Sequence, residues 1–431
     1  MSKYTLHSPY APFLNVGTVC LDAFVVDDQN LQSKFYQERK EFLSKNIAYE
    51  GDNLVKSKQE TASRVGELSG QYGSFWIDLG IDCADQSYDK MKNEFSQDNV
   101  VRAARSLFLN VPDDLKKGKL AVDKFSGKIG RGYLPWGSES GANEVFEIKE
   151  GFAFGYNWDR KNDDKQPSNP MEEHNKWPAC TENIDSKISF SSKEKSLLED
   201  ETVDLMNDIG NLLLRAYSMD LQNDEMLLPN LWSGSESWNL TRIFRYFSCN
   251  SIHDSHQKTV ASKTERMGSA PHTDWGLLTV IIACDEPGLQ LLKTSDIENS
   301  TNRPVPEDYI TVLPQFHENK LFVNCGDFMS LMSNGKYLSP KHRVIPPIAT
   351  KDDSNVERTS IVHFFYPRYD VKLPPIKELS PKLQEKYSVF SDQREAVQSK
   401  NDYDREISSN GEDAQLNFGD IIASKWTQVA R

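Results

Sequence analysis

The sequence predicts an α+β fold, a jelly-roll (double-stranded β-helix) core with a helical N-terminal region and flanking helices. Two observations carry this. The first 235 of the 431 residues hold long stretches whose apolar residues recur at helical spacing. Beyond residue 235 the pattern changes to short runs rich in Ile, Val, Thr, Phe and Tyr, separated by Gly, Asn, Asp and Pro, which is the signature of an all-β layered core.

Taken in order, residues 16–26 read as a short strand. Residues 27–53 are polar, with Leu31, Phe35, Phe42 and Leu43 spaced for a helix lying on the surface as an appendage. Residues 54–71 form an amphipathic helix with Ala62, Val65 and Leu68 on one side, and Gly73 turns it into a strand at 74–79. A second helix covers 87–109, residues 130–137 and 167–178 are turn-rich and irregular, and a longer helix covers 191–221. The β runs are 239–249, 276–284, 289–292, 310–312, 321–324, 343–345 and 358–365, with Asn334-Gly335 as a hairpin turn between two of them. The chain divides into a helical and mixed region (1–235), a jelly-roll core that holds the site (236–375), and a C-terminal helical cover with a polar tail (376–431), all one structural unit.

A hydrophobic fraction of 38% suffices for a sizeable core, which excludes a disordered chain. Lys and Arg number 50 against 64 Asp and Glu, and the net charge of −14 comes with no basic cluster able to track a phosphate backbone. Nucleic acid is therefore not an expected partner, and a small molecule suits the acidic surface better than a large polyanion. The longest apolar run, 277–284, falls far short of the roughly 20 residues of a membrane helix. Residues 1–24 lack a basic start followed by an apolar block, so a cytoplasmic location, with the nucleus also open to it, is expected and no membrane partner. The six cysteines, far apart and without a CxxC pair, read as reduced and mostly buried thiols. The sequence sets no oligomeric state.

His272 and Asp274, in Pro-His-Thr-Asp-Trp-Gly, stand at i and i+2, which puts both on one face of an extended strand. His342, in Pro-Lys-His-Arg-Val, comes far enough along for several antiparallel strands to bring it alongside. Two imidazoles and one carboxylate leave three coordination positions open, the arrangement suited to Fe(II) that must also bind a cosubstrate and O2. By themselves His272 and Asp274 read more readily as a surface turn. The added weight comes from Arg358 and Ser360, again i and i+2, on an apolar run fit for burial. A buried Arg is costly unless it meets an anion, and its fork matches a carboxylate. The alternative for Arg358 is an internal Asp or Glu as partner.

These residues fall in blocks whose order resembles the 2-oxoglutarate/Fe(II)-dependent dioxygenases of the isopenicillin N synthase-like family. The blocks are His-Thr-Asp-Trp-Gly-Leu-Leu-Thr-Val (272–280), Gly-Leu-Gln (288–290), Val-Asn-Cys-Gly-Asp (323–327), Ser-Asn-Gly-Lys-Tyr (333–337), His-Arg-Val (342–344) and Arg-Thr-Ser (358–360). Tyr72-Gly-Ser-Phe-Trp, Arg131-Gly-Tyr, Lys149-Glu-Gly-Phe and Trp177-Pro178 extend the similarity, which covers 16–375. The resemblance implies His272, Asp274 and His342 as iron ligands, Arg358 and Ser360 as the seat of the distal carboxylate of 2-oxoglutarate, and Tyr246 as its hydroxyl support. It further implies O2 as oxidant, ascorbate as an accessory reductant, and oxidation of a small organic substrate coupled to decarboxylation of 2-oxoglutarate to succinate and CO2. The chain departs from the family at Phe247, where Pro is usual after the tyrosine, and at Leu79-Gly80, where His-Gly is common. Residues 27–53 and 294–308 look like insertions, one of them a candidate to border the mouth of the site.

Three other readings stay open: an oxidase of the same fold without 2-oxoglutarate, a non-catalytic sensor of iron or 2-oxoglutarate, and a zinc hydrolase on the same ligands. Arg131, Tyr133, Trp136, Phe152, Phe154 and Phe365 are candidates for the barrel mouth or for packing, and Trp275 for a shield or a core residue. His253, His256 and His317 read as solvated. His363, at odd spacing from Arg358, should face away from the site. Gly127, Gly130 and Gly132 have the wrong spacing for a phosphate loop.

Overall fold

Alternation of β-branched and aromatic residues with polar ones builds two sheets around a shared cavity. The computed structural model describes residues 10, 12–46, 50–79, 96–123, 130–138, 145–158, 167–179, 190–222, 224–234, 239–248, 265–284, 286–293, 308–349, 356–372, 417–419 and 422–423. The strands are β1 (Phe13–Leu14), β2 (Thr18–Cys20), β3 (Ser74–Asp78), β4 (Gly132–Leu134), β5 (Val145–Glu147), β6 (Lys149–Gly155), β7 (Leu240–Phe247) and β8 (Glu265–Met267). They continue with β9 (Ser269–His272), β10 (Leu278–Ala283), β11 (Leu289–Leu292), β12 (Tyr309–Val312), β13 (Lys320–Cys325), β14 (His342–Val344) and β15 (Glu357–Phe365). The large sheet runs β2-β3-β13-β10-β15-β7-β6-β4, the small one β1-β12-β11-β14-β9, and β5 pairs with β8 in a separate ribbon. Four strands of the large sheet thus come from the first 235 residues.

Helices α1 (Lys34–Asn46), α2 (Gly51–Tyr72), α3 (Gln97–Leu109) and α4 (Thr202–Gln222) belong to the helical side of the molecule. The outward residues Ile361 and Phe365 of β15 share one core with Val65 and Leu68 of α2, Leu107 of α3 and Leu213 of α4. The inward residues Phe244, Tyr246, Ile281, Leu289, Val344 and Val362 form a second core between the sheets. A turn without a Cβ closes α2: Gly73 has φ +66°, donates its amide to Ser69 O at 3.0 Å, and has Leu338 O only 2.4 Å from where a Cβ would stand.

Several expectations need correction. Only Thr18–Cys20 of 16–26 is strand, and Asp22–Val25 is a helical turn with Ala23, Phe24 and Val25 buried. Residues 27–53 are not an appendage, because Phe35, Tyr36 and Leu43 are buried in the main core, and none of the described ones lines the cavity between the sheets. Residues 132–134, read as irregular, pair with β6 as β4. Asn334-Gly335, with φ 49° and 81°, is no hairpin: β13 and β14 lie in different sheets, and the pair instead closes the helix Asp327–Met332 through Gly335 N–H to Ser330 O. Cys284 and Cys325 are buried, whereas Cys20 is exposed. Residues 87–95, His253, His256, residues 294–307 and the His317 side chain lie outside the described residues. No helix among the described residues is long and apolar enough to cross a membrane.

Candidate metal centre

Strands β9 and β14 pair antiparallel with His272 opposite His342, so the two imidazoles stand side by side, ring centroids 4.3 Å apart. Asp274, two residues past the end of β9, turns inward beneath them. His272 Nε2 lies 3.7 Å and His342 Nε2 3.9 Å from Asp274 Oδ1, and the three ligand atoms all fall within 4.8 Å of one another. Each ring is fixed from behind: Nδ1 of His272 is 2.7 Å from Ala270 O and Nδ1 of His342 is 3.0 Å from Pro340 O. A carbonyl only accepts, so each Nδ1 carries the proton and each Nε2 offers a lone pair.

Asp274 is oriented the same way. Its Oδ2 accepts from Thr279 Oγ1 at 2.6 Å and Asn324 Nδ2 at 2.9 Å, which leaves Oδ1 toward the imidazoles. Burial alone would raise its pKa, but His342, His272 and these two donors outweigh it and hold the carboxyl below its usual range. His272 lines the cavity and keeps 45% of its side-chain surface exposed. Desolvation, with His342 adding to it, lowers its pKa to about 4 and keeps the ring neutral. Two imidazoles and one carboxylate on one side, with the other side open, suit a six-coordinate divalent metal rather than a closed structural zinc.

The facing wall carries Arg358 and Ser360, as the i, i+2 pattern requires. Both are buried and line the same cavity of about 430 Å³ as the triad. Arg358 Nε and Nη1 and Ser360 Oγ have no hydrogen-bond partner among the described residues, so no internal Asp or Glu fills the role once open for Arg358. Buried donors left open in this way call for an anion. Tyr246, opposite Arg358 in register, also lines the cavity, with the guanidinium 5.2 Å from its ring centroid. Contact is thus through the ring face.

His363 faces away as expected: it is buried, with Nδ1 2.7 Å from Thr241 Oγ1. Trp275 both lines the cavity and packs against the main core. None of Arg131, Tyr133, Trp136, Phe152, Phe154 and Phe365 lines the cavity; its walls are instead completed by Lys149, Arg242 and Phe244 among others. Asn324 and Thr279, which orient Asp274, also escaped notice, although both sit inside blocks already singled out.

Fold and site together define a two-sheet jelly roll with a His-Asp-His face open to a cavity and a buried cation opposite. Residues 239–367 match the family model described as the 2OG-Fe(II) oxygenase superfamily. Among similar proteins, jasmonate-induced oxygenase 2 of Arabidopsis thaliana is 26% identical over 48% of this chain and 45% of its own. A 2-oxoglutarate-dependent dioxygenase of Didymella fabae is 27% identical over 64% of this chain and 74% of its own. The chain spans about half the length of the jasmonate-induced oxygenases it matches. Full-length Neurospora crassa T7H, solved in complex with alpha-KG, superposes with a TM-score of 0.57 at 16% identity over 95% of each chain. A 2OG-Fe(II) oxygenase family protein from Caulobacter crescentus does so at 0.54, with 17% identity over 86% of this chain and 94% of that one. The shared fold is the jelly roll of these oxygenases.

Proposed function

We propose that the protein is an Fe(II)- and 2-oxoglutarate-dependent oxygenase that couples decarboxylation of 2-oxoglutarate, to succinate and CO2, to oxidation of a small organic substrate. His272, Asp274 and His342 hold the metal, Arg358 and Ser360 take the distal carboxylate of 2-oxoglutarate, and Tyr246 braces Arg358 from its ring face. Iron bound with 2-oxoglutarate and O2 supplies the oxidising chemistry. The chain's own part is to keep both Nε2 atoms and Asp274 Oδ1 pointed at one place, to bind a dicarboxylate in one orientation, and to exclude water behind apolar walls. Residues 236–375 are the catalytic core and residues 1–235 complete the large sheet; of 376–431, read as a cover, only 417–419 and 422–423 lie among the described residues.

The observation that carries this reading is the open guanidinium of Arg358, buried on the wall facing the triad. An anaerobic titration with Fe(II), followed by visible absorption with and without 2-oxoglutarate, tests it. The expected result is a weak charge-transfer band that needs both, and that in Arg358→Ala needs about 30-fold more 2-oxoglutarate or higher still. Iron binding without the band points to an oxidase that seats its substrate's own carboxylate on Arg358, and failure to bind iron sinks the proposal.

A further inference from the structure

The two imidazoles hang from unequally supported strands. β14, which carries His342, is paired on both sides, with β11 and β9, whereas β9, which carries His272, is the last described strand of the small sheet. Exposure follows the same order: the His342 side chain is 8% exposed and that of His272 45%. A strand at a sheet edge turns a row of N–H and C=O groups away from its one neighbour, so its far side needs other partners.

For β9 those partners come from residues 145–149, outside the stretch 239–367 that matches the oxygenase family model. β5 pairs in parallel with β8, directly ahead of β9, and Ile148 N–H donates to Met267 O at 2.7 Å. The next contacts reach β9 itself. Glu147 Oε1 accepts from the Ala270 amide at 2.7 Å, Glu147 Oε2 lies 2.8 Å from Lys149 Nζ, and Lys149 Nζ donates to Ser269 Oγ at 3.5 Å. Glu147 and Lys149 are both buried, so the bond from amide to carboxylate is charge-assisted and little screened. Ala270 is also the residue whose carbonyl accepts from His272 Nδ1. One residue is thus held by a carboxylate through its N–H and holds the imidazole through its C=O.

We propose that Glu147 is a positioning residue for the metal centre: fixed by Lys149, it ties down Ala270 and so orients the ring of His272. The proposal rests on the reading of His272, Asp274 and His342 as an Fe(II) site, and it makes a segment of the N-terminal region part of that site's support. With the tether cut, His272 keeps its place in the chain and loses its fixed direction, and partners that orient a ligand in this way are worth about 10- to 100-fold in metal affinity.

The test uses the full chain without O2. It reads Fe(II) affinity by competition with a calibrated chelator, ligand geometry by the visible spectrum of the Co(II) form, and the tether by amide exchange of the metal-free protein. The Ala270 amide of wild type should be protected from exchange. Glu147→Ala should weaken Fe(II) binding about 10- to 100-fold and shift the Co(II) bands. Glu147→Gln, which keeps an acceptor oxygen, should return the affinity to within about five-fold of wild type. Glu147→Ala combined with Lys149→Met removes the cation as well and should stay as weak as Glu147→Ala. Unchanged affinity and spectrum in Glu147→Ala, recovery in the double variant (which would assign the loss to the charge of Lys149), or fast exchange of Ala270 in wild type each overturns the proposal. The exchange measurement needs no variant, so it decides even where one does not fold. Wild type that binds no Fe(II) overturns the proposed function itself, whereas wild type that binds it no better than Glu147→Ala overturns the Glu147 assignment alone.

Discussion

Asp274 faces the imidazoles with one oxygen because the other is held by Thr279 and Asn324. Removing those donors frees the carboxylate to rotate and restores the cost of its burial, so Asn324→Ala and Thr279→Val should each weaken iron binding about 10- to 100-fold. Competition with a calibrated chelator measures this, and unchanged affinity would show that the two residues only pack. At this scale the shared faces of His272 with Asp274 and of Arg358 with Ser360 were legible because each pair stands at i and i+2, whereas His342, on another strand, was joined to them by the family resemblance. The supporting donors were not legible, since polarity alone does not say which oxygen of Asp274 a hydroxyl five residues on, or an amide on β13, will reach. Phe152 and Phe154, left open between barrel mouth and packing, pack in the main core, and the sequence could not decide for a related reason. All seven residues of β6 are buried, so its two faces carry no polar contrast by which to tell cavity from core.

The short helix Asp327–Met332 presents its first amide to Asp274: Asp327 N–H donates to Asp274 O at 2.7 Å, and Gly326 N–H to Leu277 O at 2.9 Å. This approach needs two glycines, for a Cβ on Gly326 would stand 2.2 Å from Gly276 O. Gly326→Ala should therefore lower both the melting temperature and the iron affinity, read by calorimetry and chelator competition; loss of stability with intact iron affinity would separate the helix from the site. A contrasting case is α1, whose start is tied down by Asp208, which accepts from the amides of Gln32 and Ser33, both at 2.8 Å. Asp208→Ala should cost about 1–2 kcal/mol of stability with 2-oxoglutarate binding unchanged. Most strand runs were legible from composition, to within one or two residues for β10 through β15. Asn334-Gly335 was not, because positive φ at two successive residues serves a helix end as well as a hairpin, and only the partner strands tell them apart.

For the molecule as a whole, His363 ties stability to pH. Burial lowers its pKa from 6.5 to about 3, so between those values the unfolded chain binds a proton that the folded chain refuses. Its contribution is complete above about pH 6.5 and is lost progressively as pH falls. The stability advantage of wild type over His363→Leu should shrink from pH 7 to pH 5 in thermal melts, and a constant gap would remove this cause. The two imidazoles hang from the small sheet, whereas Asp274 is bonded to Thr279 on β10 and Asn324 on β13, and Arg358 lies on β15, all in the large sheet. On the proposed function, a metal between imidazoles and carboxylate and a dicarboxylate running on to Arg358 would be two rivets through a sandwich whose sheets are otherwise joined by one apolar core. Occupancy sets how freely the halves breathe, so amide exchange in β9, β14 and mid-β15 should slow together on loading, with the protein stiffest when it is ready to react.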